Sequence, residues 1–202
     1  MSWEQAWREG RTGWDAGASA PALVELVERG VLPDGRALVP GCGAGYDVFT
    51  LTSKKRRGIG IDIAPTARAR FEAVRDELRG VAGRARLITG DFFAFEDEPF
   101  DVIFDYTFLC ALDPSVRPQW AKKMDALLRP DGELVTLVFP VVDAPPLGQG
   151  PPFPVQPDDV RALLEPLGFE AIELAPVTRS HPGREGMEHL GRWRRRRSRG
   201  GV

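Results

Sequence analysis

From Arg36 onward, short apolar runs alternate with longer stretches whose apolar residues recur at helical spacing, a pattern that predicts a parallel sheet covered by helices. Strands are expected at Ala37–Val39, Gly58–Ile61, Ala85–Ile88, Val102–Tyr106 and Glu133–Phe139. Helices are expected between them at Tyr46–Ser53, Pro65–Arg79 and Arg117–Leu128. The last has Pro118 in its first turn, where a missing N–H costs nothing, and stops before the turn signal Pro130-Asp131-Gly132. A further helix, Pro157–Leu167, opens on a proline and is stopped by Gly168. Glu170–Leu174 and Glu188–Arg195 read as two more strands, and the Pro- and Gly-dense segment Asp143–Pro157 as a loop over the site. The chain is expected to form one domain, α/β, with a doubly wound and mostly parallel sheet.

Composition narrows the classes. The 202 residues, 43% of them hydrophobic, can bury one sizeable core but leave little for a second. A net charge of -2 gives no reason to expect attraction to nucleic acid or to an anionic membrane. The best apolar run, Leu134–Val142, is interrupted by Thr136 and Pro140 and is far short of the roughly 20 residues that span a bilayer. The first residues include Trp3, Glu4 and Trp7 and lack a secretory pattern. Cys42 and Cys110 stand in no metal-binding or disulfide spacing, so no metal is expected and a reducing cytoplasm fits best. A monomer acting on a small-molecule substrate is expected. The arginine run from Arg192 to Arg197 reads as a solvated strand edge and tail, since no aromatics of the single-strand-binding kind are interleaved.

The most informative stretch is Leu38-Val39-Pro40-Gly41-Cys42-Gly43-Ala44-Gly45-Tyr46-Asp47, where an apolar strand ends in glycines spaced GxGxG and a helix follows. Such glycines let the chain turn sharply and bring its backbone close to a ligand. The next strand ends in Asp62, where a carboxylate can accept both hydroxyls of a ribose. Asp91-Phe92-Phe93 follows the third strand, an acid and aromatics suited to an adenine, and Tyr106 ends the fourth. The spacing is not the GxGxxG of a dinucleotide site, whose pyrophosphate rests on a helix N-terminus. A tight strand-to-helix turn alone would also account for the glycines. The four features together describe a pocket for adenosine carrying a non-phosphate group.

The order LVPGCGAGYD, GIGID, GDFF and FDVIFDYTF resembles that of the Class I S-adenosylmethionine methyltransferases. The strings DYTFLCALDPSVRPQWA, LVFP, GPPFPV and EHLGRW look like one branch of them, the thiopurine methyltransferase family with its thiol and halide members, and the likeness runs from Trp3 to Trp193. It implies a Rossmann-like sheet of seven strands with the last antiparallel, Glu188–Arg195 then being a hairpin strand inserted in the sheet. It implies S-adenosyl-L-methionine as cofactor, with Gly41 and Gly43 against its methionine part, Asp62 at the ribose, and Asp91 and Phe92 at the adenine. Tyr106 would sit near the sulfonium and the nucleophile, Trp3, Trp7 and Trp14 would reach the cofactor as a lid, and Arg117 would attract an anionic acceptor: thiol, thiopurine, hydrosulfide or iodide.

Single residues carry plainer readings too. Trp3 and Trp7 share a helix face and would anchor the N-terminal segment by packing alone. Arg117 would be an exposed arginine at a helix start. Asp47 reads as a surface acid that favours the helix dipole and is left outside the site. Asp101 reads as a turn residue, Asp105 as a structural or peripheral acid, and Ser53–Arg57 as solvated. Neither His181 nor His189 is assigned as a base. Two rival functions remain: a nicotinamide-dependent oxidoreductase and a non-catalytic protein that binds the same cofactor.

Overall fold

A computed structural model describes residues 2–78, 80–142 and 150–196. The strands are β1 (Gly35–Pro40), β2 (Arg56–Asp62), β3 (Arg86–Thr89), β4 (Phe100–Tyr106), β5 (Leu128–Val138), β6 (Phe169–Pro176) and β7 (His189–Arg195). They form one seven-stranded sheet in the order β3-β2-β1-β4-β5-β7-β6. The first five are parallel, and β7 runs antiparallel to both β5 and β6. The helices are α1 (Trp3–Arg8), α2 (Pro21–Glu28), α3 (Tyr46–Leu51), α4 (Pro65–Leu78), α5 (Arg117–Leu127) and α6 (Pro157–Leu164). Among the described residues no helix is long and apolar enough to cross a membrane. Residues 143–149 of the expected loop and 197–202 of the arginine-rich end lie outside the described residues, as does Arg79 at the expected end of α4.

Strand periodicity sends alternate side chains to opposite faces. In β1, Ala37 and Val39 join one apolar layer with Leu23, Val48, Leu51 and Phe71, while Leu38 joins the other with Ile59, Trp120 and Met124. β4 divides in the same way, Val102 and Phe104 against Ile103. Both faces are thus apolar, as a doubly wound sheet requires. The strand order reverses between β1 and β4, which opens a crevice at their carboxyl ends, the place where such sheets take ligands.

Three sequence expectations are corrected. The helix α5 stops before Pro130-Asp131-Gly132 as expected, but these residues lie inside β5 instead of forming a separate turn before it. β5 already pairs at Leu128 with Phe100 and resumes at Glu133 with Val102, so Pro130, Asp131 and Gly132 belong to an irregularity within the strand, exposed at Pro130 and Asp131 and buried at Gly132. Ser53–Arg57 is not uniformly solvated: Arg56 opens β2 with 6% exposure, and its guanidinium donates to the carbonyls of Pro33, Leu51 and Leu32. The arginine run is not a sheet edge, because β7 lies between β5 and β6. Arg192 and Arg194 both donate to Glu133, which is wholly buried, with Arg192 Nε to Glu133 Oε1 at 2.6 Å, and Arg192 also meets Glu173 at 3.3 Å. Arg195 pairs with Asp125 and covers the Phe169 ring. Like charges on neighbouring residues look solvated in a sequence, whereas here Glu133 compensates two of them from the facing strand.

Removing one partner of a buried ion pair leaves the other charge uncompensated. Glu133→Ala is therefore expected to lower unfolding free energy in urea by about 3–5 kcal/mol. A loss below about 1 kcal/mol, the range of exposed pairs, would contradict burial of the network.

Candidate active site

The β1–α3 turn forms one wall of the crevice. Gly41 and Gly43 have φ of 57° and 52°, left-handed values that disfavour a side chain. A Cβ on Gly41 would run into the Phe108 ring, and one on Gly43 would approach the Trp7 ring to 3.2 Å. Asp62 ends β2 and holds this turn: Oδ2 accepts the Gly43 N–H at 2.9 Å, and Oδ1 accepts that of Ala64 at 2.9 Å. Burial raises its pKa, opposed by those backbone donors. Asp91 is exposed and accepts the Phe93 N–H, while Phe92 is buried against Phe93 and Phe108.

The cavity at the switch point is small, about 50 Å³, and is lined by Trp7, Trp14, the Gly41–Gly43 turn, Asp47, Tyr106, Thr107 and His181 among others. Of the residues expected at the site, Trp7, Trp14, Gly41, Gly43 and Tyr106 meet here. Trp3 stands one layer out, edge-on to Trp14 at 5.2 Å, with Trp7 edge-on to the same ring at 5.9 Å. The helix that carries Trp3 and Trp7 is fastened by Glu4, which accepts from the Thr66 N–H and hydroxyl at the start of α4. Asp62, Asp91 and Phe92 stand along the neighbouring strand ends, outside this cavity's lining.

Arg117 is not part of that lining. It is buried at the start of α5, where one terminal nitrogen donates to the carbonyls of Pro154 at 3.1 Å and Phe153 at 3.5 Å in the segment that follows residue 150, and its Nε is buried without a partner. Phe153 in turn donates its N–H to the Cys110 carbonyl.

Several residues enter the site unforeseen. Asp47 lines the cavity rather than the surface and accepts from the Ser19 hydroxyl and the Ala20 N–H, and burial raises its pKa. Behind Tyr106 lies a polar cluster: the Tyr106 hydroxyl donates to Glu188, and Arg184 donates to the same hydroxyl and, at 2.8 Å, to the Trp14 carbonyl. The Arg184 guanidinium lies 5.3 Å from the Tyr106 ring centroid and 4.9 Å from that of Phe139. Burial and Glu188 push the Tyr106 phenol well above its ordinary pKa, so it stays protonated and positions other groups instead of acting as a base. Cys110 is likewise pushed up, to about 12, by burial and by Asp105. Arg184 lies in a segment to which the sequence assigns no element, and Glu188, which it reads as the start of the strand Glu188–Arg195, is given no part in the expected site.

Next to Tyr106, Thr107 has φ of 63°, a strained value for a β-branched residue. The turn that holds it is anchored by Asp105, which accepts from Leu109 N–H at 3.0 Å and Trp120 Nε1 at 2.7 Å. Asp105 is thus structural.

A crevice at a strand-order reversal, a glycine turn braced by an acid and an aromatic-walled cavity are the features of a Class I S-adenosylmethionine methyltransferase. Solved structures agree at the level of fold. The chain is similar to 1,6-didemethyltoxoflavin-N1-methyltransferase of Burkholderia thailandensis, with TM-score 0.75, 21% identity, and 96% of this chain and 85% of that one covered. It is also similar to the glycopeptide N-methyltransferase MtfA, with TM-score 0.71, 19% identity, and 87% and 93% covered. The family is narrower: residues 1–190 match the sequence profile of thiopurine S-methyltransferase, and the chain belongs to that family. It is 46% identical to Probable thiol methyltransferase 2 of Arabidopsis thaliana over 194 residues, which is 96% of this chain and 84% of that protein. It is 43% identical to Thiocyanate methyltransferase 1 of the same plant, with the same coverage. With Thiopurine S-methyltransferase of Photobacterium profundum it shares 28% identity, and 93% of each chain is covered.

Burial pushes the Asp105 carboxyl up to about 6, against an unfolded value near 3.9. A folded pKa raised in this way adds stability that is complete below about pH 4 and lost as pH rises through about 6. Relative to Asp105→Asn, the wild type is expected to gain stability on going from pH 7 to pH 4, by roughly 3 kcal/mol in denaturant unfolding. A constant difference across that range would contradict a buried, mostly protonated carboxyl at low pH.

Proposed function

We propose that this methyltransferase transfers the methyl group of S-adenosylmethionine to a small sulfur or halide nucleophile: a thiol, thiopurine, hydrosulfide, thiocyanate or iodide. The observation that carries this reading is a small cavity at the strand-order reversal walled by Trp7, Trp14 and Tyr106, aromatic faces that suit a sulfonium and leave room for only a small acceptor. The names of the plant relatives point the same way.

The residues fit the cofactor. The Gly41–Gly43 turn would receive its methionine part, and Asp47 at the start of α3 suits a cationic amino group while repelling a pyrophosphate. That repulsion disfavours the nicotinamide alternative. Asp62 retains lone pairs for ribose hydroxyls beyond the two backbone donors it accepts, and Asp91 and Phe92 would flank the adenine. When bound, the cofactor supplies an electrophilic methyl carbon on a sulfonium. The faces of Trp7 and Trp14 attract such a cation by about 0.5–2 kcal/mol and exclude water from it. The cavity would take only the methionine end of the cofactor, with the ribose and adenine along the neighbouring strand ends, and the segment bearing Trp3, Trp7 and Trp14 would close over it as a lid.

The protein's remaining task is alignment. Tyr106 and Arg184 fix the acceptor side, and Arg117 acts at one remove by holding the segment from residue 150 to 154 against Cys110. The test is turnover of iodide, thiocyanate and an aryl thiol by wild type, Arg184→Met and Arg117→Ala. Wild type is expected to methylate them, Arg184→Met to lose about 10- to 100-fold in kcat/KM, and Arg117→Ala to lose less. Methylation of neutral oxygen or nitrogen acceptors alone would overturn the reading.

A further inference from the structure

One polar atom at the cavity has no role in this scheme. His181 is 7% exposed, lines the cavity beside Tyr106 and Thr107, and lies parallel to the Tyr106 ring, with centroids 6.4 Å apart and planes 17° apart. Its Nε2 is fully buried and has no hydrogen-bond partner. Leaving such a nitrogen unpaired costs roughly 1–3 kcal/mol, a cost that a ligand hydrogen bond would remove.

The charged and titratable groups around the ring are Asp47 from α3, Arg184 and Glu188 from the approach to β7, the neutral Tyr106 phenol from β4, and Asp15, which lines the same cavity. Burial first and Arg184 second hold the imidazole's pKa below its ordinary value, against the opposing pull of Glu188 and Asp47. His181 is therefore neutral at pH 7, with one ring nitrogen able to accept a proton.

We propose that His181 is the general base for uncharged thiol acceptors, its Nε2 taking the S–H proton inside the cavity. This rests on the sulfur-acceptor reading above and deepens it. The S–H bond breaks as an Nε2–H bond forms, and the electron pair stays on sulfur. Sulfur then bonds to the methyl carbon as the sulfonium carbon–sulfur bond breaks, and the imidazolium returns its proton to water. Thiocyanate and iodide carry no such proton, so His181 divides the acceptors into two groups: those that need it and those that do not.

The experiment compares wild type with His181→Gln and His181→Ala on thiocyanate and on a simple alkyl thiol, with adenosylhomocysteine affinity as the check on folding. Alkyl-thiol kcat/KM is expected to fall about 100-fold while thiocyanate changes less than threefold. In the variants, thiol turnover should rise tenfold per pH unit up to the thiol's own pKa, whereas the wild type should be nearly flat from pH 7 upward. Added imidazole should partly restore His181→Ala on the thiol alone. Independently of turnover, the His181 ring resonance in the wild type should titrate below pH 6.5. It should also shift when an alkyl thiol is added with adenosylhomocysteine present. Equal loss on both acceptors, loss on neither, or a ring resonance indifferent to the thiol would overturn the assignment. A wild type inactive on every sulfur and halide acceptor would instead overturn the function it rests on.

Discussion

The Arg184 guanidinium is the point where three distant parts of the chain meet. It donates to the Tyr106 hydroxyl at the end of β4 and to the Trp14 carbonyl in the N-terminal segment, and Glu188, at the entry to β7, accepts a hydrogen bond from the same hydroxyl. A cation with 9% exposure is tolerable only if its donors are matched, and here a phenol that in turn donates to Glu188, a carbonyl and two aromatic faces do so. The cavity has its shape because these partners are fixed. Without Arg184, Tyr106 would lose its donor and the tryptophan segment its tie to the sheet.

Around that contact the protein prepares a dry, polarised space with few reactive groups of its own. Tyr106 stays protonated, and both cysteines are held as thiols by burial. That suits a displacement in which a cationic leaving group becomes neutral and the incoming group brings the negative charge. The strain at Thr107 and the anchoring of the following turn by Asp105 belong to the same design, since both set the direction in which the end of β4 meets the cavity. The network of Glu133 with Arg192 and Arg194 serves at longer range, seating β7 inside the sheet so that Glu188 arrives beneath Tyr106.

Much of the fold was legible because apolar periodicity is local: β1 to β4 and α3 to α6 lie within a few residues of their expected bounds, while β5 begins at Leu128 instead of Glu133. The glycine turn and Asp62 were legible because their spacing follows from the turn itself. The place of β7 was not, and came from the family likeness, since an arginine-rich strand looks solvated until Glu133 is seen opposite it. Asp47, Arg184 and Glu188 escaped for a related reason. Their partners lie 27, 78 and 82 residues away, so neither periodicity nor motif spacing records the contact. Arg117 shows the converse: a sequence cue for a free cation says nothing of the carbonyls that fold back onto it.

Arg184 ties the tryptophan segment to the approach to β7 through the Trp14 carbonyl, so closure of that segment over the cofactor depends on this contact. Amide hydrogen exchange with and without adenosylhomocysteine, in wild type and Arg184→Met, tests it most directly. The account predicts that in the wild type residues 3–14 and 181–188 gain protection together, and that in Arg184→Met residues 3–14 lose most of that gain. Protection of residues 3–14 that is the same in both proteins would contradict it.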